Sequence, residues 1–117
     1  MVYMRNILHY LDKDGIDAFQ EKFDSISDRK VRAKILHQIE LASFENSLER
    51  YVSKDIAGVS ELLVTVDPGY RIFFRVIGND IILLFLTVGK KIKRDYITIS
   101  EYRDDCMEVE RTWLQND

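Results

Sequence analysis

The sequence lacks the features that mark secreted, disulfide-bonded and membrane-spanning chains. Its single cysteine, Cys106, has no second cysteine with which to form an intramolecular disulfide. The N-terminus has no basic stretch that runs into an apolar segment and a small-residue cleavage site. The longest apolar run, Ile81 to Val88, is far shorter than the ~18 residues that a membrane-spanning helix requires. We therefore expect a cytoplasmic protein without a membrane partner.

Internal repeats, low-complexity tracts and linkers are also missing from the 117 residues. Apolar residues make up 46% of the chain and aromatic residues 11%, which is enough for a packed core and too much for a chain that stays disordered. A chain of this length is typical of one domain. The sequence therefore predicts a single globular domain over residues 1–117.

The residue groupings of the common enzyme and metal-binding classes are missing as well. His9 and His37 lie far apart in the sequence, with no cysteine or carboxylate at metal-ligand spacing. Cys106 falls on an amphipathic pattern, where a cysteine is usually a small core side chain. The five glycines are scattered over turns and form no phosphate-binding loop. We expect no metal site and no cofactor.

The charges of the chain are unevenly distributed. Overall, 17 Lys and Arg residues stand against 20 Asp and Glu residues, which gives a net charge of −3. Residues 70–94 carry six basic side chains and one acidic one, a local charge of +5, whereas 11 basic and 19 acidic residues give −8 elsewhere. The stretch from Glu101 onward is mostly acidic. The net charge of the whole chain argues against a nucleic-acid partner, but the basic segment 70–94 could bind phosphate.

Helical periodicity dominates the first half of the chain. Apolar residues at spacings of three and four predict a short helix after the Asp14-Gly15 break and a second helix after the polar stretch from Ser25 to Asp28. The two stripes are Ile16, Phe19, Phe23 and Ile26, and Val31, Ile35, Ile39 and Ala42. Two such short helices form a hairpin that must bury its apolar side against a further layer.

From Gly58 onward the apolar pattern alternates, as it does in β-strands. The first strand stops at Asp67-Pro68-Gly69, where proline suits the first central position of a type II turn and glycine the second. Strands over Tyr70–Ile77 and Asp80–Val88 follow, joined by a tight hairpin turn. We expect the Asp80–Val88 strand to be central and covered, because it is almost continuously apolar.

Two weaker elements complete the predicted fold. Residues 2–8 form a candidate strand, and residues 98–117 form a C-terminal acidic helix. One face of this helix carries Tyr102, Cys106, Val109 and Trp113. The predicted fold class is α+β, with the element order β-α-α-β-β-β-α.

The basic residues of segment 70–94 are the main candidates for a binding site. Arg71 and Arg75 share one face of the predicted strand. Four further cations follow the next strand where it leaves the sheet, namely Lys90, Lys91, Lys93 and Arg94. Together they could form one surface for a phosphate-rich ligand. An alternative is that a lysine-rich strand end protects the sheet from pairing with other chains.

Four segments carry a resemblance to a known family: Gly58–Leu62, Pro68–Phe74, Ile81–Leu84 and Val88–Lys91. In order and spacing they resemble the RelE/ParE superfamily of toxins, in particular its HigB-like addiction module killer branch. The Gly69-Tyr70-Arg71 strand and the Val88-Gly89-Lys90 segment are the specific parts. Because the two N-terminal helices also look like those of this branch, the resemblance covers residues 16–97. It implies a toxin of a type II toxin–antitoxin pair, with two N-terminal helices packed on a curved antiparallel sheet.

The resemblance also implies an activity. RelE- and HigB-type members cut messenger RNA in the ribosomal decoding site by metal-free transphosphorylation, in which the ribose 2′-oxygen attacks the neighbouring phosphate. Such a reaction needs a group that accepts the 2′-hydroxyl proton, cations that stabilise the developing charge and a donor to the departing 5′-oxygen.

The candidate catalytic residues follow from the family motif. Arg71 would bind the scissile phosphate through its planar guanidinium. Lys90 and Lys91 would bind the backbone and stabilise charge, and Tyr96 would accept a proton or stack on a base. The further candidates for contact with RNA or the ribosome are Lys54, Arg75, Lys93 and Arg94.

The sequence departs from the family pattern at two places. Leu63 replaces the arginine of the family's Glu-Leu-Arg motif, and the strand from Glu61 to Val66 contains no cation, so Lys54 could supply a charge only from a loop. Tyr96 lies one position before the family's tyrosine, at whose place Ile97 stands. These departures leave two alternatives open: a non-enzymatic ParE-type inhibitor of DNA gyrase, and a degenerate homologue that only binds an antitoxin.

All three readings imply the same partner. A cognate antitoxin, expected to be a helix-turn-helix protein, would cover the basic surface and would carry the complex to operator DNA. The ribosome and messenger RNA are further partners only of the mRNA interferase. Residues 101–117 could also screen the basic cluster in the isolated protein.

Overall fold

The computed structural model describes residues 4–44, 52–56, 58–89 and 93–116. The fold is a mixed α+β fold, as predicted. Its elements, in chain order, are β1 (Asn6–His9), α1 (Ala18–Asp24), α2 (Arg29–Ser43), β2 (Val52–Ile56), β3 (Val59–Val64), β4 (Tyr70–Ile77), β5 (Asp80–Val88) and α3 (Lys93–Asn116). Strand β2 adds an element that the sequence pattern does not predict.

The two N-terminal helices begin at aspartates that cap them. The Asp17 carboxylate accepts a hydrogen bond from the Gln20 amide at 2.9 Å, and Asp28 accepts one from the Lys30 amide at 2.9 Å. Such caps satisfy amide groups that have no partner inside the helix. The predicted apolar stripes are buried, except that Ile16 precedes α1 and is exposed.

The five strands form one sheet in the order β1-β5-β4-β3-β2. Neighbouring strands from β2 to β5 are antiparallel, but β1 pairs with β5 in parallel. The sheet is therefore mixed, and the expectation of an antiparallel sheet was wrong for β1. The long connection between β1 and β5 allows this parallel pairing, which a tight hairpin turn would not.

The sheet separates two apolar cores. On one face, Ile72 and Phe74 of β4 pack with the buried sides of α1 and α2. On the other face, Phe73 of β4 packs with Ile99 and Cys106 of α3. The predicted alternation of β4 is thus confirmed, and so is the core position of Cys106. Strand β5 lies between β1 and β4 with residues 81–87 buried, which confirms the expected covered, inner strand.

The turn between β3 and β4 differs from the predicted type II turn. The Gly69 amide donates a hydrogen bond to the Val66 carbonyl, and the Asp67–Pro68 peptide bond is cis. Pro68 therefore occupies the second central position of the turn, where a cis proline belongs, and not the first. Gly69 closes the turn with a φ of +93°.

Helix α3 begins at Lys93, five residues before the predicted start, and packs on the second core. The Tyr10 hydroxyl donates a hydrogen bond to the Asp105 carboxylate, and the Tyr102 ring meets Phe85 edge-on at 5.4 Å. Burial raises the pKa of the Tyr102 hydroxyl, and the nearby Asp12 carboxylate adds to this effect. Of the other two residues predicted to share this helix face, Val109 is exposed, and the side chain of Trp113 lies outside the described part.

The core between α2 and the sheet provides a stability test. Ile35 is 0% exposed, whereas its neighbour Leu36 is 51% exposed. We expect Ile35→Ala to lower the free energy of unfolding by about 2–5 kcal/mol, because it leaves a cavity. Leu36→Ala is the matched control and should change it by less than about 0.5 kcal/mol. Urea denaturation measures both values, and equal losses would contradict the packing of α2.

Candidate functional site

The candidate site lies on the sheet face that carries α3, on the part formed by β3 and β4. Arg71 and Arg75 alternate onto this face on either side of the buried Phe73. Leu63 of β3 lies opposite Arg71 in the sheet register and is 38% exposed. This part of the face is therefore partly open to solvent and contains both arginines, as the sequence predicts.

An ion pair holds Arg71 in place. Its Nε lies 3.0 Å from Oε1 of Glu61, whose side chain is 6% exposed, whereas the Arg71 side chain is 23% exposed. The Arg71 Nη1 also donates a hydrogen bond to the Gly89 carbonyl. These contacts use two of the five N–H donors of a guanidinium. The Arg71 guanidinium is therefore held at two of its nitrogen atoms, while its side chain stays partly exposed.

Glu61 is a site residue to which the sequence assigned no role. A carboxylate is rarely buried without a partner, and Glu61 stands in a strand of otherwise largely apolar residues. That position is the signal that predicts a paired, buried acid. The identity of the partner depends on the register of β3 and β4, which the sequence does not show.

Lys54 lies in β2 and not in a loop, which corrects the sequence-based expectation. In the register of β2 and β3, Lys54 stands opposite Glu61. The β3 strand itself has no cation, yet the position beside Glu61 on the neighbouring strand is a lysine. Glu61 thus stands opposite Lys54 in the register with β2 and forms an ion pair with Arg71 of β4, which in turn contacts the Gly89 carbonyl just after β5.

The other predicted catalytic residues are placed only in part. Lys90 and Lys91 lie outside the described residues and follow Gly89 in the sequence. Tyr96 lies near the start of α3 and is 48% exposed. Lys93 and Arg94 form the beginning of α3, and their side chains lie outside the described part. The structure thus brings Arg71 to Gly89, the residue that directly precedes Lys90 in the sequence.

Arg75 has a structural contact that the sequence did not predict. Its Nη1 donates a hydrogen bond to the Gly58 carbonyl at 2.8 Å. Gly58 has a φ of +87°, and a Cβ atom at this position would lie 2.7 Å from the same Nη1. Arg75 therefore fixes the turn between β2 and β3 to β4. This contact ties part of its guanidinium to the fold.

Comparisons of the chain with protein-family models, with curated proteins and with solved structures find no match. Among the described residues, no group of three or more His, Cys, Asp or Glu side chains could hold a metal ion. Within the same ranges, no helix has the length and apolar character needed to cross a membrane. The site is therefore interpreted from its own geometry.

The contact between Arg75 and Gly58 can be tested by a mutant cycle. We expect Gly58→Ala to destabilise the protein by more than Gly15→Ala, because a side chain at Gly58 displaces Arg75 while Gly15, with a φ of +77°, has open space around it. Both variants carry the cost of a positive φ, about 1–2 kcal/mol. The excess should be about 0.5–1 kcal/mol, the low end of the net value of a hydrogen bond, because the Arg75 guanidinium is the exposed end of a flexible side chain and can shift.

The control is the same substitution in a background that lacks the guanidinium. In the Arg75→Ala background, Gly58→Ala should lower the free energy of unfolding by no more than Gly15→Ala does. Denaturant unfolding measures both values. If the excess persists without Arg75, the contact does not explain the requirement for glycine.

Proposed function

We propose that this protein is the toxin of a type II toxin–antitoxin pair, and that it cuts messenger RNA on the ribosome by metal-free transphosphorylation. The observation that carries the proposal is the buried Glu61 that holds Arg71 at an open sheet face. A guanidinium held by a carboxylate and by the Gly89 carbonyl is already oriented before a phosphate arrives.

Arg71 has the central role in this proposal. Its guanidinium binds the scissile phosphate through the N–H groups that Glu61 and Gly89 leave available. Glu61 is a positioning residue, because it is buried and acts through Arg71. Without this carboxylate, binding would have to include the cost of ordering a long side chain.

The other cations supply charge around the same phosphate. Lys90 and Lys91 follow Gly89 in the sequence, and Lys54 stands beside Glu61 in the sheet register. Lysine is a compact cation that stabilises a negatively charged transition state. Tyr96 is accessible near the start of α3 and accepts the 2′-hydroxyl proton or stacks on a base. None of these roles needs a metal ion.

One observation favours a second candidate function. Leu63, opposite Arg71 in the register, presents an exposed apolar side chain where the family's arginine would stand. An apolar residue beside a fixed arginine suits a protein–protein contact, in which arginine and apolar groups are common. The alternative is a ParE-type inhibitor that binds DNA gyrase and cuts no RNA.

A cognate antitoxin is the proposed partner under either function. The segment that covers the Arg71 surface would be acidic or amphipathic, because the surface is basic. We propose that the antitoxin is a helix-turn-helix protein and that operator DNA is bound through it. A neighbouring reading frame that encodes such a protein would support this assignment.

The proposed reaction is tested by induced expression and by cutting of a translated message on purified ribosomes. We expect Arg71→Ala to slow cutting by about 100-fold to 1000-fold, as removal of one charge-stabilising group does in other enzymes. Glu61→Gln should slow it less, by about tenfold, because the guanidinium remains but is no longer fixed by a charge. Arg103→Ala, an arginine on α3 whose partner is the adjacent Asp104, is the matched control and should cut like the parent.

The outcomes separate the candidate functions. If the double variant Arg71→Ala with Lys90→Ala arrests growth as well as the parent, the assigned mechanism is wrong. Growth arrest with intact messages and DNA damage signalling would favour the gyrase inhibitor. Antitoxin binding without any growth arrest would identify a degenerate homologue.

A further inference from the structure

A second basic surface lies on the opposite side of the sheet from Arg71. Helix α2 begins with four cations in its first six residues, Arg29, Lys30, Arg32 and Lys34, and its first acidic residue is Glu40. Arg29, Lys30 and Lys34 are exposed on the outward side of the helix, and we call these three residues the α2 basic face. Arg32 is half-buried and lies about 160° around the helix from both Lys30 and Lys34.

The charges of this face oppose the folding of the helix that carries it. The N-terminal end of a helix carries a partial positive charge, so cations there are unfavourable. The first turn of α2 has no acidic residue, and its last turn has no basic one. Lys30 and Lys34 are also four residues apart on one side of the helix, where like charges repel.

No acidic partner relieves this repulsion within the described ranges. The ion pairs there involve other residues, and none of the four cations takes part in one. The nearest acid in sequence, Asp28, uses its carboxylate to cap the helix through the Lys30 amide. Within the described part of the chain, the three cations of the α2 basic face thus have no ion-pair partner, although the net charge of the whole chain is −3.

We propose that the α2 basic face binds the phosphate backbone of folded RNA, as a second contact separate from the Arg71 site. Cations that oppose local stability and lack partners fit a surface that an external polyanion neutralises. This inference rests on the proposed function, since it names the ribosomal RNA as the surface that α2 contacts.

The placement of the two basic surfaces defines the kind of RNA. The buried side of α2 packs on one sheet face, so its basic face points away from the sheet, whereas Arg71 lies on the other face. An RNA that contacts both must reach the protein from two sides. Folded RNA that lines a cleft does so, and a short single strand bound at Arg71 does not.

The test measures binding to a 2′-O-methylated RNA duplex, which the proposed reaction cannot cut because the attacking oxygen is blocked. The variant Lys30→Gln with Lys34→Gln removes two cations from the face. We expect it to bind about tenfold more weakly at moderate salt, and to lower the slope of log affinity against log salt by about one per cation. The control Lys13→Gln with Lys22→Gln removes the same charge from exposed positions outside the face and should bind like the parent.

Thermal unfolding of the same variants separates binding from stability. Removal of Lys30 and Lys34 should leave the melting temperature unchanged or raise it, because repulsion and an unfavourable dipole interaction are lost. Equal affinity and equal salt slope for variant and parent would overturn the inference. The inference would also fail if the variant bound an acidic peptide with a different affinity from the parent but bound the RNA duplex with the same affinity.

The design separates this inference from the proposed function. Arg71→Ala should lose cutting on ribosomes and keep its affinity for the duplex, whereas the Lys30 and Lys34 variant should cut normally at saturating concentration and need more protein to reach that rate. If Arg71→Ala still cuts, the proposed mechanism fails, while the duplex measurement remains valid for α2.

Discussion

The need to bury both faces of β5 determines most of this structure. Residues 81–87 of that strand are buried, so each face of the sheet must be covered by a separate layer. Helices α1 and α2 cover one face, and α3 covers the other near β5. Strands β3 and β4 extend the second face beyond β5. This extension carries Arg71, which is partly exposed to solvent, and the buried Glu61.

The ion pair between Arg71 and Glu61 contributes more to the orientation of the guanidinium than to the stability of the fold. Moving a carboxylate from water into the protein interior is costly. A protein with a well-packed apolar pair at the same place is often equally stable or more stable. Arg71 is only partly buried, so solvent also weakens the pair. What the pair supplies is a fixed orientation of the guanidinium. The hydrogen bond to the Gly89 carbonyl extends this order to the end of β5.

The sequence predicted what depends on local periodicity and missed what depends on register. The buried stripes of α2 and the alternation of β4 follow from spacings of a few residues, and the structure confirms them. Strand β2 was not predicted because its Val-Ser-Lys-Asp-Ile sequence is apolar only at its ends. The parallel pairing of β1 is set by residues more than 70 positions away. Lys54 was expected in a loop because it belongs to the unpredicted strand β2, and only the register shows that it lies opposite Glu61.

Local charge therefore gives more information about this protein than its total charge. The sequence shows an excess of positive charge over residues 70–94. Arg75 and Arg71, however, each commit part of the guanidinium group to a contact within the fold. Among the described residues, the cations of α2 make no such contact, and residues 29–39 carry a local charge of +4 that the total of −3 does not show. A basic side chain is less available to a ligand when groups inside the fold already pair with it. By this criterion the α2 basic face is the more available of the two surfaces, and Arg71 is the more precisely oriented.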